Sequence, residues 1–240
     1  SLSHNREKIK ELASGQLKDE ANAWFVGEPF KVFYDYKKEG IWQLGEEAAA
    51  AANGQEPGDI KVQDVDGNGV ITTDDRIIYS QRPDVTFGFN NTFNYKGFDL
   101  SVFLYARLGQ WIAYDYNTTY RINALENGGN VDYWTPENPT NAFPRPNKSK
   151  SYTQVTYYST LKYEDGSFFK IRDITLGYTF KPELLKHLNL SRLRVYATAK
   201  NFFTFSKIDN YDPEQGGSIS FPMTKQTCIW SECRILTGKE

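Results

Sequence analysis

The feature that most constrains this chain is a pair of long alternating segments separated by a two-residue break. After Pro83, one parity holds Val85, Phe87, Phe89, Phe93 and Tyr95, interrupted by Asn91, and the other holds Thr86, Gly88, Asn90, Thr92 and Asn94. Side chains of a strand point alternately to its two faces, so the spacing predicts a strand over Val85 to Tyr95, apolar on one side and polar on the other. Its length is that of a tilted strand crossing a bilayer, roughly 9–11 residues. Lys96-Gly97 supplies a tight turn, and the alternation resumes with Phe98, Leu100, Val102, Leu104, Ala106 and Leu108 against Asp99, Ser101, Tyr105 and Arg107, with Phe103 the exception. The two segments read as one long hairpin. A half-buried soluble sheet alternates in the same way, so a soluble β-sandwich stays open at this point.

Two further segments follow the pattern. Ile174, Leu176, Tyr178 and Phe180 alternate with Thr175, Gly177 and Thr179, and Leu193, Val195, Ala197 and Ala199 with Arg194, Tyr196, Thr198 and Lys200. A dry core would penalise Arg194 and Lys200, whereas a water-filled lumen accepts them, which favours a barrel. Composition agrees: 15% of the residues are aromatic while only 39% are hydrophobic, the balance of a wall greasy on one face and wet on the other. No stretch approaches the roughly 18 consecutive apolar residues of a transmembrane helix, so any crossing is made by strands. Interspersed charges with a net of −2 argue against nucleic acid as a partner.

Between Gly109 and Ser167 the alternation fades into a Tyr-, Asn- and Pro-rich stretch containing Tyr133-Trp134-Thr135-Pro136 and Phe143-Pro144-Arg145-Pro146. Outer-membrane barrels have long extracellular loops and short periplasmic turns, so this stretch is expected outside and Lys96-Gly97 at the periplasmic end. For any single aromatic here, packing within the loop is the favoured reading over sugar stacking.

The sharpest short motif is Asp64-Val65-Asp66-Gly67-Asn68-Gly69-Val70-Ile71-Thr72-Thr73-Asp74-Asp75. Oxygen ligands at loop positions 1, 3, 5, 7 and 12 with Gly at 6 describe a calcium loop, and Asp64, Asp66, Asn68, the Val70 carbonyl and Asp75 fill those places. Asp75 stands where an EF-hand has Glu, and the flanks Gly58 to Val62 and Arg76 to Tyr79 read as short extended pieces rather than helices. A structural Ca2+ is the expected cofactor. The competing reading is a metal-free loop of Asx-turns. No organic cofactor is indicated. His4 and His187 are isolated, and no nucleophile–base arrangement or phosphate-binding glycine loop is present, so an enzyme is not expected. Cys228 and Cys233 offer neither a disulfide framework nor a metal site.

An ordered series then carries a resemblance. Asn22-Ala23-Trp24-Phe25-Val26-Gly27-Glu28-Pro29-Phe30, Gly40-Ile41-Trp42-Gln43, Pro57-Gly58-Asp59-Ile60, the acidic loop with Asp75-Arg76, and Asn94-Tyr95-Lys96-Gly97-Phe98-Asp99-Leu100-Ser101 are followed by Leu193-Arg194-Val195-Tyr196, Asn201-Phe202-Phe203-Thr204 and Tyr211-Asp212-Pro213-Glu214. In this order they resemble the C-terminal region of the SusC/RagA family of TonB-linked outer-membrane proteins, over residues 1–227. The resemblance implies an all-β fold, the C-terminal part of a large antiparallel transmembrane barrel of about 22 strands with long extracellular loops. It implies residence in the bacterial outer membrane, among lipid. It also implies active uptake of oligosaccharides or peptides with a SusD-like surface lipoprotein and TonB, whose contacts belong to an N-terminal plug upstream of Ser1. The alternative is a soluble carbohydrate-binding β-sandwich with a structural calcium site.

Residues 228–240 depart from the family, whose members end in an amphipathic strand closing on an aromatic residue. Codons compatible with Cys228 onward, read from their second base, can spell Ala-Phe-Gly-Val-Asn-Val-Glu-Phe and a stop, so a shifted reading frame is one account of this divergent tail. On that account the tail is expected outside regular barrel pairing.

Overall fold

The computed structural model describes residues 1–114, 117, 130–149, 154–188, 190–208, 212–216 and 225–235. In chain order the strands are β1 (Leu2–Ser3), β2 (Lys18–Asp19), β3 (Trp24–Phe25), β4 (Val32–Asp35), β5 (Lys38–Ile41), β6 (Ile60–Val62), β7 (Ile77–Ser80), β8 (Val85–Tyr95), β9 (Phe98–Leu108), β10 (Trp111–Ala113), β11 (Tyr163–Asp165), β12 (Phe168–Thr179), β13 (Leu190–Ser206) and β14 (Gln226–Ile235). Two short helices, α1 (Glu47–Ala52) and α2 (Pro182–Leu185), lie in connections. No helix among the described residues is long and apolar enough to cross a membrane.

One antiparallel sheet of six strands, ordered β1-β8-β9-β12-β13-β14, organises the chain. The predicted hairpin forms with both limits as expected: Val85 pairs with Leu108 and Tyr95 with Phe98. Lys96 and Gly97 both adopt positive φ, the two-residue turn that matches the twist of a hairpin, and glycine supplies one of these angles without steric cost. The sheet's connections alternate in length. Residues 4–84, 109–167 and 207–225 link strands at one end, and residues 96–97 and 180–189 link them at the other. This asymmetry is the one expected of an outer-membrane barrel wall.

The two faces differ as the alternation requires. Phe89, Phe93, Phe98, Leu176, Val195, Phe203, Phe205 and Ile229 are all solvent-exposed large apolar side chains. They share the face of Leu100, Val102, Ile174 and Ala197 through the strand registers. Aromatic rings gather at both ends of that face. Phe98 meets Tyr178 at 4.6 Å and Tyr178 meets Phe180 at 5.0 Å near the short turns, while Phe169 meets Phe205 at 6.0 Å near the long connections. On β9 and β12 aliphatic residues lie between the two clusters, while β8 and β13 add Phe89, Phe93 and Phe203, so the whole face is an apolar band with aromatic rings at both of its ends. At about 3.3 Å per residue and a tilt of about 45°, an 11-residue strand spans roughly 25 Å, the height of such a band. A β-sandwich would cover this face with a second sheet. Among the described residues no second sheet lies over it.

The opposite face carries charge, and part of that charge is paired across strands. Arg194 on β13 reaches across β12 to hold Asp99 on β9 through two hydrogen bonds, Nε–Oδ1 at 3.1 Å and Nη2–Oδ2 at 2.6 Å. Gly177 is the β12 residue beneath the bridge. A Cβ there would lie 2.6 Å from Asp99 Oδ1 and 2.8 Å from Arg194 Nη2, so the missing side chain is what lets the pair close.

The tail corrects an expectation. Cys228 to Ile235 is regularly paired as part of β14, with Thr198 opposite Cys228 and Leu193 opposite Cys233. Strand addition is carried by backbone hydrogen bonds, and β13 offers a full edge to receive them, so a poorly patterned sequence still pairs. Residues 236–240 lie outside the described residues, as does Tyr211.

Beyond the sheet, the long connections build a layer of their own. β4 pairs with β7, and β5 with β6. Ile41, Ile60, Val62, Trp134 and Leu161 form its buried core. Trp134 is 5% exposed, so it serves packing as favoured from the sequence, whereas Tyr133 is exposed. Two glycines of the quoted series permit close approach. A Cβ on Gly58, which sits at φ +91, would meet the Trp134 ring at 2.7 Å, and one on Gly40 would meet Asn141 Oδ1 at 2.6 Å. That Asn141 oxygen accepts the Ile41 N–H, tying the two connections together.

Candidate functional site

The acidic loop joins β6 to β7, and its flanks are strands, as expected. Asp64 accepts the N–H groups of Gly67 and Gly69, each at 2.7 Å, and both glycines adopt positive φ so that the chain can curl around the carboxylate. Asp66 accepts the Asn68 N–H at 3.0 Å, and Asp75, fully buried, accepts those of Val65 at 2.8 Å and Thr72 at 2.7 Å. The Thr72 N–H, opposed by burial, holds the Asp75 carboxyl below the usual carboxylate range. Asn53, which follows α1, secures the far side by accepting the Ile71 N–H at 2.8 Å.

Three of the five predicted ligands converge: one carboxylate oxygen from each of Asp64, Asp66 and Asp75 lies within 4.8 Å of the others. Asn68 is engaged elsewhere, donating to Asp66 and accepting the Val70 N–H at 2.7 Å, and Val70 enters these contacts through that N–H. The hydrogen bonds account for the loop's shape as a nested set of Asx-turns. They also leave lone pairs: a carboxylate oxygen that accepts one N–H can still face a cation. The donor set, three hard oxygens with the same formal charge, fits Ca2+.

A second polar region was not found from sequence. Lys170 on β12 is completely buried and donates to Asp212 Oδ1 at 2.7 Å, Asp212 Oδ2 at 2.6 Å and Glu214 Oε2 at 2.8 Å, while Arg172 pairs with Glu214. Asp212 and Glu214 lie in the β13–β14 connection, so the cluster ties that connection to the sheet. The only sequence signal was the Asp212-Pro213-Glu214 string, which names no partner.

Known proteins decide the family. No family model matches the chain. It is 31% identical to TonB-dependent receptor P3 of Formosa agariphila over 236 residues, covering 89% of this chain and 22% of that protein. It is 32% identical to TonB-dependent receptor SusC of Bacteroides thetaiotaomicron over 162 residues. The solved RagAB peptide transporter superposes with a TM-score of 0.72 over 97% of this chain and 26% of that one, at 23% identity. The chain belongs to the SusC/RagA family of TonB-dependent receptors. The match spans 22% of the length of P3, 15% of SusC and 26% of the RagAB chain. As a TonB-dependent receptor segment, the six-stranded sheet is part of a barrel wall, its apolar face turned to lipid and its charged face to the lumen. The relatives' names are those of receptors and a transporter, not of enzymes.

Proposed function

We propose that the intact receptor resides in the bacterial outer membrane and takes up oligosaccharides or peptides, working with a SusD-like surface lipoprotein and drawing energy from TonB. The observation that carries this reading is the wall itself: an exposed apolar face, an opposite face bearing charged and polar side chains, and the sheet's long connections gathered at one end. Family membership supports the energy coupling, and the name of the RagAB peptide transporter keeps peptides beside glycans as cargo. The test is growth on a peptide mixture or a complex glycan as limiting nutrient. Deleting the receptor gene, or tonB, should abolish growth on the same source. Unimpaired growth on every source tried, with the protein recovered outside the outer membrane, would overturn the reading.

The acidic loop is proposed as a structural calcium site through Asp64, Asp66, Asn68, the Val70 carbonyl and Asp75. Its role would be to stiffen the junction of β6 and β7 on the outer side of the wall. Calcium should protect this loop from proteolysis in the intact receptor, and Asp64→Ala/Asp66→Ala should remove the protection. Equal protection with and without a chelator would leave the Asx-turns as the whole account.

The proposal also covers the tail. Read in the shifted frame, it would place Phe, Val, Val and Phe at positions 229, 231, 233 and 235, the parity opposite Ala197, Val195, Leu193 and Leu190. Those residues would complete the lipid-facing stripe that β13 begins.

A further inference from the structure

At the end of the wall that carries the long connections, a cavity of about 390 Å3 opens between β5, β7 and the antiparallel pair β10–β11. β10 and β11 continue β9 and β12 beyond the sheet, so a solute approaching the barrel from this end meets the cavity before the wall. Its apolar side is a fixed aromatic stack. Tyr79 lies on Tyr163 at 5.2 Å and edge-on to Trp111 at 4.8 Å. The Tyr79 hydroxyl donates to the Tyr36 carbonyl at 2.9 Å and that of Tyr163 to Asp35 at 3.2 Å, which locks the rings in place.

Six charged residues line the cavity, and two of them, Lys38 and Glu164, are half-buried with no ion pair among the described residues. Lys38 Nζ donates to the Ala142 carbonyl at 2.5 Å, and Glu164 Oε1 accepts from Asn117 at 3.0 Å. Each retains unused hydrogen-bonding capacity. They line the same cavity, yet among the described residues no ion pair joins them. The other charges at the rim are accounted for: Asp165 is paired with Lys207 at 3.0 Å, and Lys37 and Glu39 are exposed to water. Burial pushes the Lys38 ammonium below its ordinary range and the Glu164 carboxyl above its own, each effect partly offset by the opposite charge across the cavity. Two partly desolvated charges held apart carry an unrecovered cost, which a ligand bearing both complementary charges would recover and a neutral ligand would not.

We infer that this cavity is a recognition subsite for zwitterionic cargo, a short peptide whose carboxylate meets Lys38 and whose ammonium meets Glu164, with its apolar portion against Tyr163 and Trp111. The inference rests on the import reading above and narrows it from oligosaccharide or peptide to peptide at this position. A neutral sugar would leave both charges unmatched, and a uronate would satisfy Lys38 alone.

The test uses the intact receptor in detergent and four probes: trialanine with free termini, N-acetyl-trialanine amide, a neutral glucose trisaccharide and trigalacturonate. Trialanine should bind at least about tenfold more tightly than its doubly capped form. Lys38→Met and Glu164→Gln should each remove that preference, whereas Lys38→Arg and Glu164→Asp should keep most of it. Glu164→Gln retains an oxygen for Asn117, so it tests the charge even where Lys38→Met assembles poorly. Equal binding of free and capped trialanine, or a preference unchanged in both neutralised variants, overturns the inference. So does a trisaccharide or trigalacturonate that binds more tightly than trialanine in wild type. TonB-dependent uptake measured alongside separates the two readings. Uptake with a charge-insensitive cavity sinks the subsite alone, and charge-sensitive binding without uptake sinks the import reading alone.

Discussion

Val102→Arg is expected to destabilise the assembled receptor by about 2–4 kcal/mol, while Ser101→Arg, one residue away, is tolerated. Val102 sits mid-strand on β9 between Asn91 and Ile174, on the lipid-facing parity. A guanidinium there must be dragged toward an interface or solvated by thinning the bilayer. Ser101 lies between Thr92 and Thr175 on the face that carries the Asp99–Arg194 bridge. Heat-modifiable migration of the folded barrel, measured across a denaturant series, gives both values. Equal losses at the two positions would show that the faces have been assigned wrongly.

Lys170→Met should be the most damaging single change on the lumen side. Among the described residues it removes the one cation touching both Asp212 and Glu214 and leaves two nearly buried carboxylates with Arg172 as their remaining cation, a break of the kind that costs about 3–5 kcal/mol. The β13–β14 connection should then come loose from the wall and become a preferred site of proteolysis. Removing both partners of the inner pair, in Lys170→Met/Asp212→Asn, should recover much of the loss, because Glu214 keeps Arg172 and no orphaned charge remains. A double variant as weak as the single one would show that the lysine acts through packing rather than charge.

The wall was legible in the sequence where parity held and a turn was marked, as in β8 and β9. It failed at β12, which begins at Phe168 rather than near Ile174. A bulge between Ile171 and Asp173 adds one residue to this strand relative to β9, so the lipid-facing set switches from Phe169 and Ile171 to Ile174, Leu176 and Tyr178. A period-2 reading stops at such a switch. The same bulge gives Arg172 the place from which it pairs with Glu214. In the outer layer, strands of two to four residues are too short to show any period, and their pairing is set by contacts such as Asn141 with Ile41 that link residues a hundred positions apart. Lys38 and Glu164 went unnoticed for the same reason: each is an ordinary surface residue in its own segment, and only the fold sets them across one cavity.

The bridge over Gly177 imposes an order on how this wall can change. Asp99, Gly177 and Arg194 sit on three adjacent strands, and the contact that matters joins the outer two above the middle one. A side chain at 177 is blocked while the pair is closed. Loss of Arg194 first leaves Asp99 without an ion-pair partner among the described residues, loss of Asp99 first leaves Arg194 with only the longer contact to Glu232 at 3.8 Å, and a side chain introduced first forces the pair open. The three positions therefore form an epistatic lock, in which each single step is worse than the double or triple replacement that lies beyond it. A library varying these positions one at a time would judge all three intolerant, whereas a combinatorial library should return an uncharged triad with a larger residue at 177.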